Sequence, residues 1–195
     1  MSGETFDLIL SGGDVIDGTN RPAVRADVGV RGERIVAVGE LSGATARERR
    51  DVSGCIVAPG FIDSHTHDDT LLLRKREMAP KVSQGVTTVV TGNCGISLAP
   101  LNIDGRMPPA PLTLLDTGGD FRFNSFGAYI DALRATPPAV LVVFRADEVA
   151  DAADFDHPTE ISKGIEAVFV NGQPVWDNNA PTQNYPGQVL KREVA

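Results

Sequence analysis

Cysteine, histidine and excess positive charge are all scarce in this sequence, and each scarcity excludes something. Two cysteines, Cys55 and Cys94, occur in 195 residues. That is too few for a disulfide framework, and a reducing cytoplasm is the expected setting. Lysine and arginine number 18 against 26 acidic residues, a formal net charge of −8. Such a balance argues against nucleic acid or an anionic membrane as the main partner and favours simple solubility. No apolar run approaches the length of a membrane span. Met1-Ser2-Gly3-Glu4-Thr5-Phe6-Asp7 has no basic region leading into an apolar one, so no secretory signal is read. Length is short too. A closed eight-fold β/α barrel takes about 250 residues, with roughly 200 as its lower limit. No internal repeat is visible.

What is present suits a folded chain. Hydrophobic residues make up 42%, with 20 glycines and 13 prolines, enough for one core or two small ones. Residues 5–58 read as short strands punctuated by glycine: Phe6 to Leu10, a turn at Ser11-Gly12-Gly13, Asp14 to Gly18, then Ala26 to Val30 and Arg34 to Gly39. Turn signals at this spacing predict a small sheet or sandwich. The charge run Arg47-Glu48-Arg49-Arg50-Asp51 reads as a solvated edge or loop.

From Cys55 the pattern changes to strand, helix, strand. Cys55-Ile56-Val57-Ala58 is a continuous apolar run, as in a strand buried on both faces. Leu71 to Lys81 is helix-like, with Pro80 placed to start a second short turn. Gly85 to Thr91 is a β-branched strand. This order predicts a parallel pair with a right-handed crossover, whose chemistry lies past the carboxyl ends of the strands. Residues 98–120 are loop-like. Phe126, Tyr129, Ile130 and Leu133 then form one helical stripe, capped by Asn124 or Ser125 and stopped by Pro137-Pro138. The end of the chain returns to strands at Leu141 to Phe144 and Ile165 to Val170. Asn171-Gly172 turns the latter into Gln173 to Trp176, a hairpin. His157, before Pro158, reads as a surface residue.

Gly60-Phe61-Ile62-Asp63-Ser64-His65-Thr66-His67-Asp68-Asp69 is the stretch with chemistry in it. In extended chain, residues two apart share a face, so Asp63, His65 and His67 can converge on one ion. Neutral imidazole suits zinc and related divalent metals. A lone pair of histidines at this spacing is ordinarily a loop that binds nothing. Here the neighbouring carboxylate, the apolar strand leading in and Cys94 in a glycine-rich turn favour a metal-binding strand end. Parallel pairing would place Gly92-Asn93-Cys94-Gly95 beside the histidines. Cys94 is then either an inert thiol or a metal-bound thiolate, whose low pKa the metal itself would supply.

The first of these motifs and Ser83-Gln84-Gly85-Val86-Thr87-Thr88-Val89-Val90-Thr91-Gly92-Asn93-Cys94-Gly95 resemble the D-aminoacylases, the N-acyl-D-amino-acid deacylases of the amidohydrolase superfamily. The opening Leu8 to Gly18 and the closing Gly164 to Trp176 are similar to the start and return of that family's β-domain. The histidine pair marks only the superfamily; Gly-Asn-Cys-Gly is more specific. The resemblance implies an α/β and β fold: a small β-sandwich from both chain termini (residues 1–57 with 141–195) and a remnant of a (β/α)8 metal-dependent hydrolase barrel (58–140). It also implies Zn2+ held by His65, His67 and Cys94, and an N-acyl-D-amino acid as substrate. Members of the family use two further histidines and an aspartate that deprotonates the attacking water. No counterparts to these are found, and the text passes from Pro137-Pro138-Ala139-Val140 directly into the β-domain return. Most of the barrel is missing, so weak or absent activity and self-association through uncovered strands are the expectations. Two other readings stand beside this one: a non-catalytic β-domain module or assembly fragment, and a different amidohydrolase, against which a cysteine in place of a carboxylated lysine counts.

Overall fold

A computed structural model describes residues 5–115, 119–135, 142–144, 161 and 163–186, the segment 142–144 by its backbone. The first strands are β1 (Phe6–Val15), β2 (Val24–Arg31), β3 (Arg34–Gly39), β4 (Ala46–Asp51) and β5 (Ile56–Ala58). The middle of the chain forms β6 (Phe61–Asp63), α1 (Asp69–Arg74), α2 (Ala79–Val82), β7 (Val86–Val89), β8 (Leu101–Asn102), β9 (Arg122–Phe123) and α3 (Phe126–Ala135). The return consists of β10 (Val142–Phe144), β11 (Ile165–Val170), β12 (Gln173–Asp177) and β13 (Ala180–Pro181). The result is a mixed, sheet-rich α/β architecture. His157 and the proline stop after α3 lie outside the described residues.

Both ends of the chain enter one nine-stranded sheet. β2 lies antiparallel to β1, and β3 to β2. The other edge of β1 is shared: β4 runs parallel to its first half, from Phe6 to Ser11, and β5 parallel to its end at Asp14 and Val15. From β5 the sheet continues antiparallel through β10, β11, β12 and β13. The expected turn at Ser11-Gly12-Gly13 is absent. β1 passes through as one ten-residue strand, and its register against β2 shifts between Leu10 and Gly13. Gly12 has φ 74°, so the glycine accommodates a bulge, which bends and twists the strand without ending it. The hairpin at Asn171-Gly172 forms as expected, with Val170 opposite Gln173 and both turn residues at positive φ, 45° and 76°.

Two apolar clusters hold the chain together, and β11 belongs to both. Ala167 and Phe169 pack with Leu8, Leu10, Val28, Val30, Val52 and Val57. The alternate residues Val168 and Val170 join Leu72, Val82, Leu98, Phe121, Tyr129, Leu133 and Trp176. The two-residue repeat of a strand thus gives each cluster one face of β11. Each fully buried side chain of this kind contributes roughly 1.5–3 kcal/mol.

Arg50 is the surprise of the charge run. β4 is largely exposed, yet Arg50 donates 2.9 and 3.0 Å hydrogen bonds to both oxygens of Asp177, 127 residues later. Its guanidinium also lies 5.4 Å from the ring centre of Phe169. Periodicity could not show this, because the partner comes from the opposite end of the chain.

The predicted parallel pair exists, but a different segment supplies its first strand. Ile56–Ala58 belongs to the large sheet; Phe61–Asp63 pairs with β7. Pro59-Gly60 separates the two strands. A Cβ on Gly60 would lie 1.9 Å from Thr87 Cγ2, so β6 and β7 approach more closely there than any side chain permits. The expected helix from Leu71 to Lys81 is split into α1 and α2, with Met78 in the left-handed region at φ 46° and Pro80 in the first turn of α2. The stretch read as loop, 98–120, holds β8, which pairs with β9 just beyond it, and buries Leu98, Ile103 and Leu115. Ser125 caps α3, its Oγ accepting from the Ala128 N–H at 3.1 Å. Tyr129 and Leu133 of the predicted stripe are buried, whereas Phe126 is exposed.

Candidate metal centre

Past the ends of β6 and β7 the two loops are laced together. Val90 N–H donates to the Asp63 carbonyl at 2.9 Å, and Thr66 N–H to the Val90 carbonyl at 3.2 Å. The Asn93 side chain closes the gap, donating to the carbonyls of Thr66 (3.3 Å) and Val90 (2.6 Å). Further on, Asp69 at the start of α1 is fully buried and accepts from Ser97 Oγ at 3.1 Å and Leu98 N–H at 3.4 Å. The loop bearing Cys94 is therefore tied to the histidine loop on both sides of the cysteine. Asn93 sits inside a motif conspicuous in the sequence, but its bridging role is visible only in three dimensions.

His65, His67 and Cys94 come together at this point. One ligand atom from each lies within 4.8 Å of the others. His65 Nε2 is 3.1 Å from Cys94 Sγ, and the two imidazoles meet edge to face with centroids 5.7 Å apart. Cys94 adopts φ 57° and ψ 18° between Gly92 and Gly95, both also at positive φ. A non-glycine residue held in this region is strained, and such strain gathers where side chains must be aimed. Among the described residues this is the only group of three or more histidine, cysteine or acidic side chains placed to hold an ion.

Asp63 is not part of the cluster. The two-residue spacing grouped it with the histidines, but Lys81 of α2 claims its carboxylate at 2.7 Å. Its other oxygen accepts from the His65 N–H at 3.3 Å. Lys81 Nζ also reaches Asp68 at 3.0 Å and Thr66 Oγ at 3.4 Å. The hydrogen bond from Lys81 holds the Asp63 carboxyl below the usual carboxylate range. Burial works against the charge on Lys81, but its bonds to Asp63 and Asp68 outweigh this and raise its pKa. No sequence signal pointed to Lys81, a single cation in a short helix.

The donor set fits a divalent metal of the zinc type. Ligands held about 2.0–2.3 Å from one tetrahedral ion lie roughly 3.3–3.8 Å from one another. The donor atoms, all within 4.8 Å of one another, come into that range with side-chain shifts on the order of an ångström. His67 Nδ1 is buried without a hydrogen-bond partner; a cation relieves an orphaned acceptor of that kind.

A model of the amidohydrolase family matches residues 48–117. The D-aminoacylase of Alcaligenes xylosoxydans xylosoxydans is 68% identical over 137 residues, covering 70% of this chain and 28% of that protein. Over most of its own length the chain is similar to the D-aminoacylases. The N-acyl-D-glutamate deacylase of the same organism is 50% identical over 139 residues, covering 71% of this chain and 28% of that enzyme. In this family a solved D-aminoacylase structure with a binuclear metal centre superposes with TM-score 0.66 at 69% identity, over 68% of this chain and 28% of that one. The N-acyl-D-glutamate deacylase of Bordetella bronchiseptica, in complex with zinc and a phosphonate that mimics the tetrahedral intermediate, gives 0.64 at 48%, over 70% and 28%. This chain thus spans about 28% of the length of the relatives it matches. Among the described residues no helix is long and apolar enough to cross a membrane.

Proposed function

We propose that this chain carries the metal-binding corner of an N-acyl-D-amino-acid deacylase, with His65, His67 and Cys94 as ligands of Zn2+. The observation that carries the proposal is the meeting of two imidazoles and a thiol across adjacent parallel strand ends. The reaction class, hydrolysis of the amide of an N-acylated D-amino acid, follows from the names of its relatives. Bound zinc supplies a Lewis acid for the amide carbonyl and lowers the pKa of coordinated water towards about 7. The chain's own residues fix the donors: the rings of His65 and His67 and the sulfur of Cys94, with Asn93 holding the two loops in register.

A complete active site also needs a base and a wall for the substrate. The carboxylates flanking the histidines, Asp63 and Asp68, are both engaged by Lys81, so neither is free to take a proton from water. We therefore assign weak or no deacylase activity to this shortened form. The domain reading is a β-sandwich from residues 1–57 and 141–195 beside a barrel segment at 58–140, in which β6, the two short helices and β7 make one β/α unit. Its support is that one apolar cluster draws only on the first unit, from Leu8 to Val57 with Ala167 and Phe169; the other packs the barrel segment against β11 and β12. Phe61 and Ile62 on β6 and Val90 just past β7 are 48%, 67% and 44% exposed. Neighbouring barrel strands would cover such residues, and self-association is expected without them. A compact monomer on size-exclusion chromatography would contradict that. The cytoplasm is the compartment assigned, with no nucleic-acid or membrane partner.

The test is zinc content of the dialysed protein together with release of D-amino acid from its N-acetyl derivative. Stoichiometric zinc with near-background turnover is expected. Zinc-dependent turnover at an enzyme's rate overturns the assignment of weak activity, and absence of zinc overturns the metal centre. A second reading, a non-catalytic β-domain module, is favoured by the core that the large sheet builds without the candidate site. It predicts folding indifferent to a chelator.

A further inference from the structure

Lys81 has a fixed relation to the histidine loop that its position in the sequence does not announce. Three oxygens surround its ammonium group: it donates hydrogen bonds to Asp63 at 2.7 Å and Thr66 Oγ at 3.4 Å and forms an ion pair with Asp68 at 3.0 Å. The acceptors precede, separate and follow His65 and His67. The side chain is only 20% exposed, and it reaches the loop from α2, an element that contributes no ligand. Two carboxylates that lie within two residues of a histidine are turned to the cation and away from the ligand cluster, which excludes both.

We propose that Lys81 is a positioning residue that sets the donor set of the metal centre. It braces the loop at three points so that the histidines meet Cys94, and it withholds Asp63 and Asp68 from the ion. The set that remains, two nitrogens and a sulfur, favours zinc; added carboxylates would shift preference towards harder ions such as manganese. The inference rests on the reading that His65, His67 and Cys94 hold a divalent metal.

The experiment titrates the full chain with Co2+, Zn2+ and Mn2+, following the near-ultraviolet thiolate-to-cobalt band and the zinc-to-manganese affinity ratio. The parent is expected to show the band. Outer partners of metal ligands typically govern affinity by about 10–100-fold, so Lys81→Met is expected to lower the ratio at least tenfold. Adding Asp63→Asn and Asp68→Asn to that variant removes the liberated carboxylates and is expected to restore the preference for zinc, an effect that general loosening of the loop does not produce. Lys81→Arg keeps the charge but spreads it over a planar fork, which cannot meet Asp63, Thr66 and Asp68 from a single atom. It is expected to lower the ratio at least threefold, and it serves if the methionine variant does not fold. A parental ratio in either variant, or a triple variant no better than Lys81→Met, overturns the role of Lys81 while leaving the metal centre intact. A parent without the cobalt–thiolate band removes the metal centre itself, and the proposal with it.

Discussion

Gly60→Ala tests whether close approach of β6 and β7 builds the site. Glycine at this position does not have positive φ, so alanine meets no backbone penalty and the effect is purely steric. The new methyl carbon would lie 1.9 Å from Thr87 Cγ2, 2.1 Å from Oγ1 and 2.4 Å from Cβ. Ordinary contact between carbons is about 3.5–4.0 Å, so rotating the threonine is not enough; Cβ itself is in the way. Overpacking of this kind costs about 1–3 kcal/mol. At about 2–4 °C per kcal/mol for a chain of this size, the melting temperature should fall by about 2–12 °C. The strain falls one residue from Phe61, whose partner across the pair is Val86, and parting the strands separates His65 from Cys94. Zinc affinity should therefore fall along with stability. Thr87→Gly added to Gly60→Ala removes the obstruction and should recover zinc affinity. Thermal denaturation by circular dichroism and competitive zinc titration read both effects. A Gly60→Ala chain that melts within 1 °C of the parent and binds zinc equally well would refute the reasoning.

Other consequences can be checked independently. Arg50→Met and Asp177→Asn, combined in a double-mutant cycle, should show coupling of about 1.5–3 kcal/mol, the range for charge-assisted hydrogen bonds; additive effects would mean that the pair does not link the chain ends. Tyr129 donates to the Asp69 carbonyl at 3.1 Å, and burial first, then the Asp69 charge, raise its pKa well above the ordinary tyrosine value of 10.0. The unfolded chain loses this proton before the native one, so the tyrosine's contribution to stability is complete below pH 10 and declines as pH rises further. In a Tyr185→Phe background, phenolate absorbance near 295 nm should appear only with unfolding; phenolate at about pH 10 in a folded chain would contradict the burial argument. Ser125→Ala should lower stability by about 0.5–2 kcal/mol through loss of the α3 cap, measured by urea denaturation; an unchanged midpoint would remove the cap's role.

Local pattern and its limits explain what the sequence revealed. The Asn171-Gly172 hairpin, the α3 stripe and the parallel pair could be read because each depends on residues close in sequence or on a general rule of handedness. The meeting of Cys94 with His65 and His67 could be inferred from that rule alone, since neighbouring parallel strands end side by side. Gly12 misled the reading because a bulge and a turn call for the same residue, and only the partner strand distinguishes them. The run Ile56–Ala58 was assigned to the wrong sheet because its apolar character does not say which neighbours bury it. Asp63 shows the limit of periodicity: sharing a face with a histidine does not prevent a lysine on another element from claiming the carboxylate. Arg50 and Asp177, like Lys81 and Asp68, pair through tertiary folding, and polar residues at such separations leave no periodic trace.

Zinc K-edge X-ray absorption of the loaded chain addresses the central claim most directly. One sulfur at about 2.3 Å and two imidazole nitrogens at about 2.0–2.1 Å are predicted, with the sulfur shell lost in Cys94→Ala. A spectrum without sulfur in the parent chain, fitted by oxygen and nitrogen alone, would contradict the claim that His65, His67 and Cys94 share one ion.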